Sequence, residues 1–278
     1  MTARRTLGSA LVDLLIIVFL AINLSPLIVT LSNSLRAPDD TASPFELFRS
    51  LNFESYSLAF RKIDYFTAFA NSVLITSASV VAIIVVAAAA AYPLSRIQTR
   101  PSRALGLFFL AGIIVSAQIA IVPIYRVFKV FGLNQSRLAP ILMYVSGSMP
   151  FCIFLYTGFI RASIPVALEE AALMDGARAF RRFWIIVFPL LVPATVTIIV
   201  TQGVAVWNDF FMPMLFLTKH SQKPLTLAML GFMGDVESPT QWNTLFAACY
   251  LCTIPLLAVF AALQRHFVGG LSLGSIKG

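Results

Sequence analysis

The sequence predicts an all-α, polytopic membrane protein with six transmembrane helices, folded as one domain over residues 1–278. Three observations predict it. Hydrophobic residues fill 59% of the 278 positions and charged residues only 12%, whereas a soluble domain carries about a quarter charged residues. Six apolar stretches follow one another, roughly 10–32, 69–94, 104–124, 138–160, 184–206 and 244–264. Each reaches the about 20 residues that a helix rising 1.5 Å per residue needs to cross about 30 Å of hydrocarbon. The runs do not alternate, and a segment in lipid must satisfy its own backbone hydrogen bonds, which leaves helices rather than barrel strands.

The first stretch, "LVDLLIIVFLAINLSPLIVTL", follows Arg4 and Arg5. Its apolar core is too long for a signal peptide and no small-residue cleavage site follows, so it reads as a retained anchor. Asp13 lies near its start, within reach of the interface, and takes no catalytic role. Residues 33–65 mix polar and aromatic side chains ("FELFRSLNFESYSLAFRKIDYF"), the pattern of short amphipathic helices on a membrane surface. The 207–243 segment, with "WNDFFMPMLFLT", is longer than a turn requires. It reads equally as a partner contact, as a shield over a cavity, or as an ordered connection. No linker or low-complexity segment divides the chain. Cys152, Cys249 and Cys252 all lie in spans, where "CYLC" reads as small packing residues rather than a redox pair. His220 and His266 are isolated and mark no metal site.

Charge sets the predicted orientation. With the amino terminus cytoplasmic, that side holds eleven basic residues against three acids, Glu169, Glu170 and Asp175. The other side holds nine basic residues against eight acids. The excess places both termini inside. The net charge of +8 is then orientation signal, and nucleic acid is excluded as a partner.

The segment between the fourth and fifth stretches is unusually charged. "SIPVALEEAALMDGA", from Ser163, has Pro165 at a first helical turn, then strong helix formers, then Gly176 where a helix stops. Ala167, Ala171 and Ala172 share one broad side with Leu168. Val166, Leu173 and Met174 share another, edged by Glu169 and Glu170. A mere connection does not require such a helix; it is built to fit into something. Asp175 is expected to cap a second helix starting near Ala177, with Gly176 at positive φ supplying the turn. Arg178, Arg181 and Arg182 are then placed near lipid phosphates, Phe183 and Trp184 at the interface, and Pro189 and Pro193 where they bend the fifth span.

Glu170-Ala171-Ala172, three residues, Gly176, nine residues, Ile186, one residue, then Phe188-Pro189 resembles the EAA loop of binding-protein-dependent ABC importer permeases. That signature has leucine where Phe188 stands. "DGA" at 175–177 and Pro193 match the carbohydrate branch. "NSVLIT" from Asn71 and "WNDFF" from Trp207 resemble its second span and its Trp-Asn-acid motif, and "QRHFVGGLSLGSIKG" resembles the ending of the second permease of the maltose type. The resemblance covers nearly the whole chain.

The resemblance implies an ABC type I importer permease fold in a bacterial cytoplasmic (inner) membrane. It implies that residues 163–183 form a coupling-helix loop, in which Glu169, Glu170, Ala171, Ala172, Asp175, Gly176 and Ala177, with Pro189 beyond, couple to an ATPase. It implies that Gly274, Ser275, Lys277 and Gly278 of the tail contact ATPase subunits. The implied partners are a second permease subunit, two ATP-binding subunits and an extracellular solute-binding protein. The implied cargo is a carbohydrate, a di- or oligosaccharide first, with a glycerol phosphodiester or polyol as the alternative. The sequence itself contains no Gly-x-x-x-x-Gly-Lys-Ser/Thr phosphate loop. No cofactor is expected in this chain, and ATP and Mg belong to the partner ATPase subunits. Asn71, Gln118, Ser146, Gln202 and Asn208 are candidates to line the translocation path, although single polar residues in spans equally serve helix packing.

Two other classes fare worse. A multi-span enzyme would need Glu169, Glu170 and Asp175 as acid–base groups, yet they are expected on an arginine-rich, water-facing loop with no histidine or nucleophile nearby. An ion-gradient transporter would keep ionisable groups within its spans, where only Asp13 and Asp209 approach that description.

Overall fold

The computed structural model describes residues 7–114, 117–234 and 240–272. Among these residues there are helices and turns and no strand. The chain forms two compact units: Met1–Tyr65 with Met229–Ile254, and Phe66–Ala228 with Pro255–Gly278.

The first unit contains α1 (Leu7–Ser34), which presents its sides almost wholly outward, and α2 (Glu54–Lys62). Of the amphipathic helices expected over 33–65, only α2 forms. The rest is a loop wrapped on Arg36, which is fully buried. Its guanidinium donates to the carbonyls of Ala42 (3.3 Å), Ser43 (3.1 Å) and Glu46. A buried guanidinium needs such acceptors, which both terminal nitrogens of Arg36 find while its Nε is left without one. Asn243 donates to the carbonyls of Ala37 (2.8 Å) and Asp40 (2.9 Å), which fixes the loop to the start of the last helix, α11 (Trp242–Ser272). Cys252 is buried close to Met229, the packing role its setting suggests.

The second unit carries α3 (Tyr65–Arg96), α4 (Arg100–Gly112), α5 (Ile121–Val130) and α6 (Leu138–Ser163). The elbow helix α7 (Val166–Met174) follows, then α8 (Ala179–Leu190), α9 (Val192–Asn208) and α10 (Phe211–Phe216). Its core packs Ile83, Ala87 and Ala91 of α3 against Tyr156 and Ile160 of α6, Val187 of α8, Ile198 of α9 and Leu191 between those two. The alanine run of α3 lets these helices approach closely, which is how spans gain packing where water supplies no drive.

Four helices among the described residues, α1, α3, α6 and α11, are long and apolar enough to cross a membrane, and α8 with α9 makes a fifth if counted as one span bent by 72°. The six-helix expectation is therefore met only in part. The third stretch, 104–124, is broken: α4 stops at Gly112, a 3-10 turn covers Ala117–Ala120, and α5 restarts at Ile121. Pro123 explains the restart, because its ring would clash with the Ile119 carbonyl in a continuous helix but is accepted in a first turn. The bend in the fifth stretch falls at Leu191, between Pro189 and Pro193, as those prolines predict, and a π-helical turn spans Arg182–Val187 just before it.

Candidate functional site

The elbow begins where Pro165, in extended conformation (φ −62°, ψ 137°), releases the chain from α6 into α7. It ends in a Schellman motif. Gly176 N–H donates to the Leu173 carbonyl (3.0 Å), Ala177 N–H donates to the Ala172 carbonyl (2.9 Å), and Gly176 takes φ +77°. Those two bonds satisfy the last carbonyls of α7, and only a left-handed residue closes them. Gly176 thus adopts the conformation its position predicts. Asp175, however, belongs to the closing turn and does not cap the next helix: α8 starts at Ala179 after Arg178, with no side-chain cap. The Asp-Gly pair is a stop signal for α7, and the residue before such a glycine remains tied to the helix it ends.

Glu169 corrects a second expectation. It does not face water; it is 6% exposed. Its Oε1 accepts from Arg96 Nε (2.8 Å) and Nη2 (2.7 Å), and its Oε2 accepts from the Tyr92 hydroxyl (2.7 Å). Arg96 Nη2 also donates to the Ile164 carbonyl at the end of α6 (2.8 Å). Arg161 on α6 returns the contact, donating from Nη2 to the Leu94 carbonyl (2.8 Å) and from Nε to the Ser95 carbonyl (3.4 Å) at the end of α3. Each helix end is thus held by a guanidinium from the other, which gives donors to the carbonyls of Leu94, Ser95 and Ile164. Phe183 also departs from expectation. It is buried, not at the interface, 5.3 Å from the Tyr92 ring and 4.8 Å from Trp184, which is half-buried.

On the other side the elbow is open. Glu170, Ala171, Asp175 and Gly176 are exposed, Ala172 is buried, Ala177 is half-buried and Pro189 is exposed. Leu173 and Met174 of α7 and Phe180 of α8 project apolar side chains that are 56%, 88% and 76% exposed. The helix is gripped from within by one acid and bare without.

A cleft of about 550 Å³ lies between α6 and α9, lined by Tyr144, Ser148, Gln202, Asp209 and Phe210 among others. Asp209 Oδ2 accepts from the Tyr144 hydroxyl (2.7 Å), and its two oxygens take the amides of Phe211 (3.0 Å) and Met212 (3.1 Å), which satisfies the first turn of α10. Gln202 Oε1 accepts from Ser148 Oγ (2.7 Å), leaving its amide donors for the cleft. Of the path candidates, Gln202 lines this cleft. Asn71 is buried and donates to the carbonyls of Ser221 and Lys223 (3.0 Å each), so it anchors a loop. Ser146 bonds back to the Met143 carbonyl of its own helix (3.1 Å), and Asn208 is exposed at the end of α9, outside the cleft lining. The Gln118 side chain and tail residues Gly274, Ser275, Lys277 and Gly278 lie outside the described residues. Tyr144 and Ser148 were not singled out by the sequence; only Asp209, the acid of "WNDFF", drew notice there, and as an ionisable group rather than as a cleft residue.

Residues 5–272 match the family model described as binding-protein-dependent transport system inner membrane component. The chain belongs to that family. This inner-membrane component is 34% identical over 278 residues, 100% of both chains, to the melibiose/raffinose/stachyose import permease protein MelC of Bacillus subtilis (strain 168). It is 29% identical to the diacetylchitobiose uptake system permease protein NgcG of Streptomyces coelicolor, over 97% of this chain and 89% of that one. Among solved structures, a bacterial ABC transporter involved in import of the acidic polysaccharide alginate superposes with a TM-score of 0.80 at 24% identity, covering 96% of this chain and 99% of that one. That likeness establishes the fold. The curated relatives are transport permeases rather than enzymes, in keeping with a membrane component that has no phosphate loop.

Proposed function

We propose that this inner-membrane component is one of two permease subunits of an ATP-driven importer, and that it translocates a di- or oligosaccharide delivered by an extracellular binding protein. The observation that carries the reading is the elbow: α7 is fixed from inside through Glu169, while Glu170, Leu173, Met174 and Phe180 stand exposed. Acid beside apolar surface on a rigid, outward helix suits the groove of a cytoplasmic ATPase subunit. Two such subunits, one on each permease, would bind ATP and Mg. The names of the curated relatives support a carbohydrate cargo. Tyr144, Ser148 and Gln202 offer the ring face and hydrogen-bonding groups that a sugar in transit would meet. Six crossings are assigned by letting α4 and α5 share the third and α8 with α9 make the fifth, both termini being cytoplasmic.

Five experiments test this. Purification of the complex around this chain is expected to recover a second permease and two ATPase subunits. Its binding protein, screened against α-galactosides and chitooligosaccharides, is expected to take a carbohydrate, and uptake is expected to survive collapse of ion gradients while ATP lasts. Cysteines placed at positions 40 and 230 should react with an impermeant reagent from outside and one at 178 should not. Labelling at 178 would reverse the orientation. Deleting residues 271–278 is expected to lower stimulated ATP hydrolysis more than membrane insertion, whereas unchanged transport would make the tail a frayed end.

A further inference from the structure

A second cavity, of about 570 Å³, lies in the wedge between α4 and α6, on residues that do not line the cleft between α6 and α9. The two helices meet at one end, where a Cβ on Gly112 would come within 3.0 Å of Pro150 Cγ. Toward their other ends they splay, and a Cβ on Gly106 or Gly158 would meet nothing within 4 Å. From Pro150 to Arg161 is eleven residues of α6, or about 16 Å at 1.5 Å per residue. The walls of this shaft are apolar, with Leu107, Leu110, Ile153 and Phe154.

The open end differs. Arg103 of α4 and Arg161 of α6 line it together with Gln98 and Ser102. The bonds of Arg161 to α3 carbonyls use Nε and Nη2, so Nη1 remains available. Part-way down, Thr157 lines the cavity, and its hydroxyl is buried with no hydrogen-bond partner. A groove with two guanidinia at its mouth, a polar collar and an apolar shaft matches an amphiphile with an anionic head. Guanidinium forks suit phosphate oxygens, and basic pockets between membrane helices recruit anionic lipids.

We propose that the α4–α6 wedge binds one anionic phospholipid, its phosphate between Arg103 and Arg161 and an acyl chain along the shaft toward Pro150. The inference rests on the chain being membrane-embedded, not on its cargo or its ATPase partners.

The test follows lipid on the intact complex extracted in mild detergent, delipidated, and then exposed to phosphatidylglycerol or phosphatidylcholine of the same acyl composition, with retention read by native mass spectrometry. Wild type is expected to retain phosphatidylglycerol about tenfold better. Arg103→Gln should cut that preference about fivefold, the equivalent of about 1 kcal/mol per basic residue near the membrane surface. Gly158→Leu, which fills the shaft, should lower retention of both lipids. Equal retention of the two lipids by wild type, or an Arg103→Gln complex indistinguishable from it, would overturn the proposal. So would complete displacement by free glycerol phosphate, which would assign the mouth to a soluble anion. Should Gly158→Leu fail to assemble, Arg103→Gln decides alone, because that side chain lies at the exposed mouth. The signal belongs to the extracted chain itself, so it stands whether or not ATPase subunits co-purify.

Discussion

Replacing Glu169 with alanine is expected to remove most substrate-stimulated ATP hydrolysis from the assembled importer while leaving the chain in the membrane. The change strands the Arg96 guanidinium, 18% exposed, and takes the acceptor from the Tyr92 hydroxyl. Removing one partner of a buried ion pair costs about 3–5 kcal/mol, because the remaining charge is left without compensation. The spans keep their core of Ile83, Tyr156, Val187 and Leu191, so the penalty falls on the seating of α7. A tenth of the stimulated rate needs only about 1.4 kcal/mol of misplacement, so a loss of about tenfold or more is expected. Glu169→Gln retains a neutral acceptor and should lose less. Arg96→Ala combined with Glu169→Ala should be less harmful than the two single effects added, since no unpaired charge remains. The comparison that decides the matter is Glu170→Ala, whose side chain is exposed. If it and Glu169→Ala lose stimulation and thermal stability in equal measure, the buried pair has no special place in holding the elbow.

Gly176→Asp is the second large effect expected, and it separates two causes. Gly176 sits at φ +77° with open space around the position of a Cβ, so alanine there costs conformational energy alone, about 1–2 kcal/mol. Aspartate tolerates the left-handed region better than alanine, but it adds a second carboxylate beside Asp175 at a helix end whose dipole is already negative. On a surface proposed to enter a partner's groove, the charge should outweigh the backbone relief. The expected order of stimulated ATPase activity in reconstituted complexes is wild type, Gly176→Asn, Gly176→Ala, then Gly176→Asp, with membrane insertion unchanged throughout. Wild-type stimulation in Gly176→Asp would mean that the elbow does not transmit force to the spans.

The elbow was largely legible in the sequence because its signals are local. Pro165 starts a helix, Gly176 ends one, and Pro189 with Pro193 bends the next; each acts within a few residues of itself. What the sequence could not disclose is which side of α7 faces home. Glu169 and Glu170 are chemically alike and adjacent, and only Tyr92 and Arg96, more than seventy residues earlier, make one of them buried and leave the other exposed. Phe183 is misplaced by the same blindness: an aromatic near arginines suits an interface until the Tyr92 ring is found against it. The broken third stretch could have been anticipated in part, since hydropathy measures length and overlooks that Pro123 disfavours a helix continuing from before Ile119, although Pro93 and Pro150 are accommodated inside α3 and α6. Asp209 was visible in its motif, but its work is done on amides that a string of letters does not display.

The interruption at Leu191 has a mechanical meaning. Two prolines four residues apart withhold two amide hydrogens from the ladder, so the carbonyls of Ile185 and Pro189 lose the partners that would stiffen a rod. In hydrocarbon such a defect is costly; Leu191 is wholly enclosed by protein, while Pro189, Leu190, Val192 and Pro193 are exposed, so protein covers one side of the broken turn. The joint is therefore sheltered on one side and lacks part of its hydrogen-bond ladder. Bending there works against fewer ladder bonds than in a regular helix, with Leu191 N–H still donating to the Phe188 carbonyl (3.0 Å) and Thr195 N–H to the Leu191 carbonyl (2.8 Å). Under the coupling proposed above, a displacement at the elbow would become an angular swing of α9, and the cleft beside Gln202 would widen or narrow by leverage rather than by repacking.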